Sequence, residues 1–177
     1  MAMPDLSPET LIREVDPIVM EEFTKTGMAT PLVTVFTKTG DKHGINVLGL
    51  FQAIDPKDTA RKKAMLVPTV RGYIAERKLD VRGYVFVCMA LKADREDKKT
   101  AKELAQGKGI ARVTNRVQIV VYAAEMLSEQ SGIIVRAYGE REICLSPRKL
   151  LDPETRILDR DIGRIGFGVL GGLPEGR

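Results

Sequence analysis

The longest near-continuous apolar run of the chain is VRGYVFVCMAL, over Val81–Leu91. Apolar residues at both odd and even positions predict a central strand buried on both faces. Pro31–Thr37 is a second strand signal, carried by Leu32, Val33, Val35 and Phe36, and Ile45–Ala53 is a third. The polar stretch TKTGDKHG between those two predicts a hairpin loop. Ile133–Tyr138 and Arg141–Leu145 predict a second hairpin, turning at Gly139-Glu140. The run RVTNRVQIVVYAAEMLSEQ carries two periods at once. Val113, Val117, Val120, Val121, Ala124 and Leu127 recur at threes and fours, which predicts an amphipathic helix ending at Gly132. The β-branched run Ile119–Val121 makes a strand the alternative.

Helix starts are marked by a capping residue followed by proline. The cap oxygen accepts an orphan amide, and proline has no amide to orphan. Ser7-Pro8, Asp16-Pro17, Asp55-Pro56, Ser146-Pro147 and Asp152-Pro153 all have this form. They predict helices over about residues 8–15 and 17–25, or one helix kinked at Pro17 and closed by Gly27. A helix after Asp55 is broken at Pro68 and resumes over 69–78. A charged helix spans Asp94–Gln106, stopped by Gly107-Lys108-Gly109, and capped turns or short helices cover 147–160. The order predicts an α+β fold: a mostly antiparallel sheet of about five strands with helices packed on one face. A three-layer α/β fold is the alternative if 113–122 is strand and the crossovers are parallel. Residues 1–162 form a single domain on this reading. Residues 163–177 form a glycine-rich tail, with six of the sixteen glycines within 163–176.

Composition narrows the class. The chain has 177 residues, 44% hydrophobic and 29% charged, so it can bury a core of useful size, and disorder, collagen and a disulfide scaffold are excluded. Cys88 and Cys144 both sit in apolar runs and read as buried free thiols, which suits a reducing compartment. The start, MAMPDLSPETLIREVD, has no basic segment followed by an apolar one, and no apolar run is long enough to span a membrane. A soluble cytoplasmic protein is the expectation.

Charge changes the picture more. The net formal charge is only +4, yet residues 1–30 hold six acids against two bases. Residues 57–82 hold eight bases against three acids, and 92–118 eight against four. The acidic N-terminus is therefore a candidate to neutralise a basic segment, within the chain or across a dimer. Arg61, Lys62 and Lys63 lead the first basic segment. Lys98, Lys99, Lys102, Lys108 and Arg112, joined by Arg116, form the second. Such clusters suit a phosphate backbone. Acidic neighbours within a turn, notably Glu96, Asp97 and Glu103, instead suit a solvated face of intrahelical ion pairs. Aromatic interleaving is poor, with Tyr73 and Tyr84 the nearest stacking candidates.

Catalytic chemistry has one candidate. His43 is the sole histidine and lies beside Asp41 in the predicted loop, available as a base near neutral pH. The cysteines have no CxxC partners and the acidic clusters lack calcium-loop spacing, so no metal site is expected. No phosphate-binding glycine loop or nucleophile elbow occurs, and no cofactor is expected. The leading expectation is a self-associating interaction or assembly protein, a homo-oligomer. The alternatives are a nucleic-acid-binding module using 57–82 and 92–118, and a small enzyme with a subunit-interface site at His43.

Overall fold

Ser7 opens the first helix, α1 (Pro8–Thr26), and its hydroxyl accepts the Thr10 amide while Pro8 takes the first helical position. Gly27 closes it at φ 72°, a left-handed conformation that costs glycine little. The computed structural model describes residues 6–53, 59–145, 148–151 and 154–158. After α1 come β1 (Leu32–Thr37), β2 (Lys42–Asn46), α2 (Leu48–Ala53), α3 (Thr59–Glu76) and β3 (Val81–Ala93). Then follow α4 (Lys98–Ala105), a 3-10 turn (Ile110–Arg112), β4 (Arg116–Leu127), β5 (Ile134–Leu145), β6 (Arg148–Leu150) and β7 (Glu154–Leu158).

The class is α+β. All strand pairings are antiparallel, in the order β2-β1-β3-β4-β5-β6, with β7 also on β5. β6 and β7 follow one another along β5: Leu145 to Ile143 face Arg148 to Leu150, and Glu140 to Arg136 face Glu154 to Leu158. Their registers on β5 differ by one residue, and together they cover its outer edge.

Residue alternation on β3 and β4 builds two cores. Val85, Val87, Val120, Tyr122 and Ala124 face α1, through Leu11, Ile12, Val15, Val19 and Phe23. Tyr84, Phe86, Ile119, Val121 and Ala123 face α3, through Leu66, Val70 and Ile74. The single helical layer expected from sequence is thus one helix on each face. The cause is the one that identified β3: a strand apolar on both sides needs a cover on both sides.

Several local expectations are corrected. Residues 116–127 are strand, not helix, because β3 and β5 take up their backbone groups on both edges and each alternate side chain enters a different core. A dense apolar run satisfies a period of 3.6 and a period of 2 alike. Gly139 is no turn. It lies inside β5, opposite Tyr122 on one edge and Thr155 on the other. Residues 148–150 and 154–158 are strand where helix was expected, while Leu48–Ala53 is helix where strand was expected. Neither Pro17 nor Pro68 breaks its helix. The carbonyls they leave unpaired, at Arg13 and Ala64, lie at exposed positions. The caps expected at Asp55, Ser146 and Asp152 and the tail 163–177 lie outside the described residues. No helix among the described residues is long and apolar enough to cross a membrane.

Candidate functional site

The β3–β4 ladder runs unbroken from Gly83↔Met126 to Ala93↔Arg116. β1 follows β3 only to Val87, and β5 follows β4 only to Ile119. Beyond those points the far end of this hairpin is paired to neither neighbour, and it carries α4 and the 3-10 turn in the connection 94–115. The second basic segment is this lobe.

Its acids fold it. The Asp94 carboxylate accepts the amides of Glu96 and Asp97 at 3.0 and 3.3 Å. Asp97 caps α4 by accepting the Thr100 amide at 2.8 Å, and Thr100, wholly buried, accepts the Asn115 amide at 3.1 Å. Glu103 takes the Thr114 amide at 2.7 Å, the Thr114 hydroxyl at 2.9 Å and the Lys108 ammonium at 2.7 Å. Lys108 and the Thr114 amide hold the Glu103 carboxyl down to about 2, and the Thr100 amide and hydroxyl hold Asp97 below the usual aspartate value. The acids that the sequence suggests as partners of neighbouring lysines are largely committed to backbone amides instead.

That leaves the cations facing out. Arg95, Lys98, Lys99, Lys102, Lys108, Arg112 and Arg116 are all exposed. On α4, Thr100, Glu103 and Leu104 form the inner side, so Lys98 and Lys102 stand in a row on the outer side with Lys99 at its flank. Lys108 is taken by Glu103. Among the described residues, Arg95, Lys98, Lys99, Lys102 and Arg112 have no carboxylate at ion-pair distance. Within the chain, no described acid of the N-terminal helix pairs with the lobe. Glu14 pairs with Lys42, Asp16 with Arg141 and Glu21 with Lys25, while Glu22 accepts from Thr30.

The Glu103 clamp has a pH signature. Its folded value lies below the ordinary 4.5, so its stabilisation is complete above that value and is lost as pH falls toward 2. The Thr114 amide is expected to exchange faster at pH 2.5 than pH-corrected exchange alone requires. An NMR titration placing Glu103 at its ordinary value would contradict the clamp.

The first basic segment is described only in part. Arg61 is exposed on α3, and Lys62 and Lys63 lie on the same helix with side chains outside the described residues. Arg77 stacks over Tyr73 at 4.6 Å, and Arg82 pairs with Glu129 at 3.4 Å. The segment is spread along α3 and into β3.

His43 is not in a loop but inside β2, half-buried opposite Val35. Asp41 closes the preceding turn, accepting the Thr39 hydroxyl at 2.8 Å. Among the described residues no hydrogen bond joins the two, and no three His, Cys, Asp or Glu side chains converge as a metal site would require.

Two charge pairs were not legible in the sequence. Asp16 meets Tyr122 and Arg141 at the α1–sheet interface, and Glu125, wholly buried, accepts from Arg136 at 2.8 Å on the other face. The partners are far apart in sequence or hidden in apolar strands, and no local signal marks them. The spacing Asp97-x-x-Thr100 was the one legible cue to the cap of α4. No family model, no curated protein and no solved structure matches this chain.

Proposed function

We propose that this protein binds a polyanion, nucleic acid foremost, and that the lobe 94–115 with the adjoining end of the β3–β4 hairpin is its contact surface. The observation that carries the reading is the division of labour within the lobe. Three acids are turned onto its own amides, and five cations face outward with no carboxylate at ion-pair distance among the described residues. A merely solvated face would not need its acids committed to the backbone. Surface ion pairs could form at little cost or gain, and here the lysines of α4 are left out of them. Cationic side chains that neutralise phosphates release counterions, so binding is strong at low salt and weakens steeply as salt rises. That Cys88 and Cys144 are not joined in a disulfide fits a module working in the cytoplasm.

The test is retention on immobilised nucleic acid and on heparin over a salt gradient, for the wild type and for Lys98→Glu/Lys99→Glu/Lys102→Glu. The expected result is elution at markedly lower salt for the variant, and affinity reduced on the order of 100-fold at low salt. Equal elution of both proteins would sink the proposal. Self-association has its footholds at the two ends of the sheet, the outer edges of β2 and of β6 and β7, which have no further strand partner among the described residues. It ranks second because these are strands of three to five residues with Lys42 on β2 and Lys149 on β6, the form edges take when pairing is being avoided. Light scattering on the same samples decides it.

A further inference from the structure

We infer that the ligand of the α4 lobe is a double-helical nucleic acid, gripped by its phosphates without regard to base sequence. The inference rests on the polyanion reading above and names the class of polyanion.

Three observations point to a duplex. Residues 92–118 contain no Phe, Tyr, Trp or His. Single strands are held without sequence preference largely by stacking bases on aromatic rings, and this surface offers none. The surface is also open. Apart from Thr100 and Val113, with Asp97, Glu103 and Leu104 half-covered, the residues of 94–115 are exposed, so its cations stand open to solvent rather than inside a buried cleft. Finally, the lobe is built before contact. Asp94, Asp97, Glu103 and the Thr100–Asn115 bond fix α4 against the start of β4. Lys98 and Lys102, four residues apart on one helix, stand about 6 Å apart along its axis. A rigid array of cations suits a rigid array of phosphates, and a duplex supplies one charge per about 1.7 Å of its axis.

The outer row of α4 is lysine, a point charge on a flexible stem, which fixes less geometry than the planar fork of Arg95 and Arg112 at its margins and suits phosphates met from many directions. An anionic membrane is a poorer fit. α4 turns Leu104 inward and has no large apolar side chain on its outer face, and Ile110 is the one large apolar residue exposed within 94–115.

The experiment is fluorescence anisotropy with the full chain against two duplexes of unrelated sequence, their single strands, and vesicles containing phosphatidylserine, each over a salt series. The two duplexes are expected to bind within about 3-fold of each other, and the single strands at least about 10-fold more weakly. Plotted as log K against log salt, duplex binding by Lys98→Gln/Lys99→Gln/Lys102→Gln should be shallower than the wild type by about 2.7, which is about 0.9 for each phosphate that a lysine no longer neutralises. Circular dichroism of the variant should match the wild type. Single strands bound as well as duplex, one duplex preferred by about 100-fold, or vesicles bound more tightly than either would each overturn the duplex assignment and leave polyanion binding standing. Binding to none of these probes, nor to heparin, would overturn both.

Discussion

Asp16→Ala is expected to destabilise the protein by about 3–5 kcal/mol, measured by urea unfolding at pH 7. The Asp16 carboxylate accepts the Tyr122 hydroxyl at 2.7 Å and the Arg141 Nε at 2.7 Å, and Arg141 Nη2 closes a second bond to it. Arg141 also donates to the Leu151 carbonyl, just after β6. One carboxylate therefore joins α1 to β4, to β5 and, through Arg141, to the outer strand. Removing it strands a guanidinium that is 9% exposed and a tyrosine hydroxyl at a residue that is wholly buried. The penalty comes from those orphaned groups rather than from the strength of the pair itself. Two further variants separate the terms. Tyr122→Phe, which removes one neutral donor, should cost about 1 kcal/mol. Asp16→Ala/Arg141→Met should recover much of the single-variant loss, because no charge is left unpaired. A double variant no more stable than Asp16→Ala would contradict the account.

The same site sets a pH dependence. Burial works to raise the Asp16 carboxyl, but the hydrogen bonds from Arg141 and Tyr122 outweigh it, and it lies below the ordinary aspartate value. Arg141 is pushed up chiefly by its bond to Asp16, and Tyr122 chiefly by burial. A depressed folded value means stabilisation that is present above the unfolded value of 3.8 and is lost as pH falls below it. The wild type should lose stability over that acid range by more than Asp16→Ala does.

Gly83→Ala is the second large effect, and its sign runs against local propensity. Glycine inside a strand ordinarily weakens it, so alanine should help by a fraction of 1 kcal/mol. Here an added Cβ would meet the Glu125 carbonyl and the Leu11 Cδ1, both at 2.7 Å, and the Met126 Cα at 3.3 Å. Two of those atoms are backbone of the neighbouring strand and cannot step aside. Overpacking of this kind costs about 1–3 kcal/mol, which in a protein of this size lowers Tm by about 2–12 °C. Gly44→Ala is the control, since its Cβ would touch only the Leu32 Cδ1, at an ordinary 3.7 Å. If Gly83→Ala melted no lower than Gly44→Ala, the close approach of α1 to β3 would be in error.

What could be read early in this chain was local in origin. The Ser7-Pro8 start and the Gly27 stop of α1 were legible because capping chemistry involves residues a few positions apart. The central place of Val81–Leu91 was legible because a strand apolar on both faces has nowhere else to go. The basic character of 92–118 was equally plain. That its acids would turn onto the backbone was not read from it: Glu96, Asp97 and Glu103 suggested ion pairs with neighbouring lysines.

Other features were decided by contacts that no window of sequence contains. Residues 116–127 satisfied helical and strand periods together, and the edges offered by β3 and β5 made the choice. Asp16-Pro17 could mark a second helix or lie within one, and it lies within α1; its carboxylate's partners, Tyr122 and Arg141, are 106 and 125 positions away. His43 passed from loop to strand by pairing with Val35. By itself the sequence determined where charge and apolar surface accumulate, since those are properties of the residues. Only the tertiary structure decided which charges are consumed in holding the fold and which remain for a partner. That outcome depends on distance and desolvation, and neither is defined until the chain has folded.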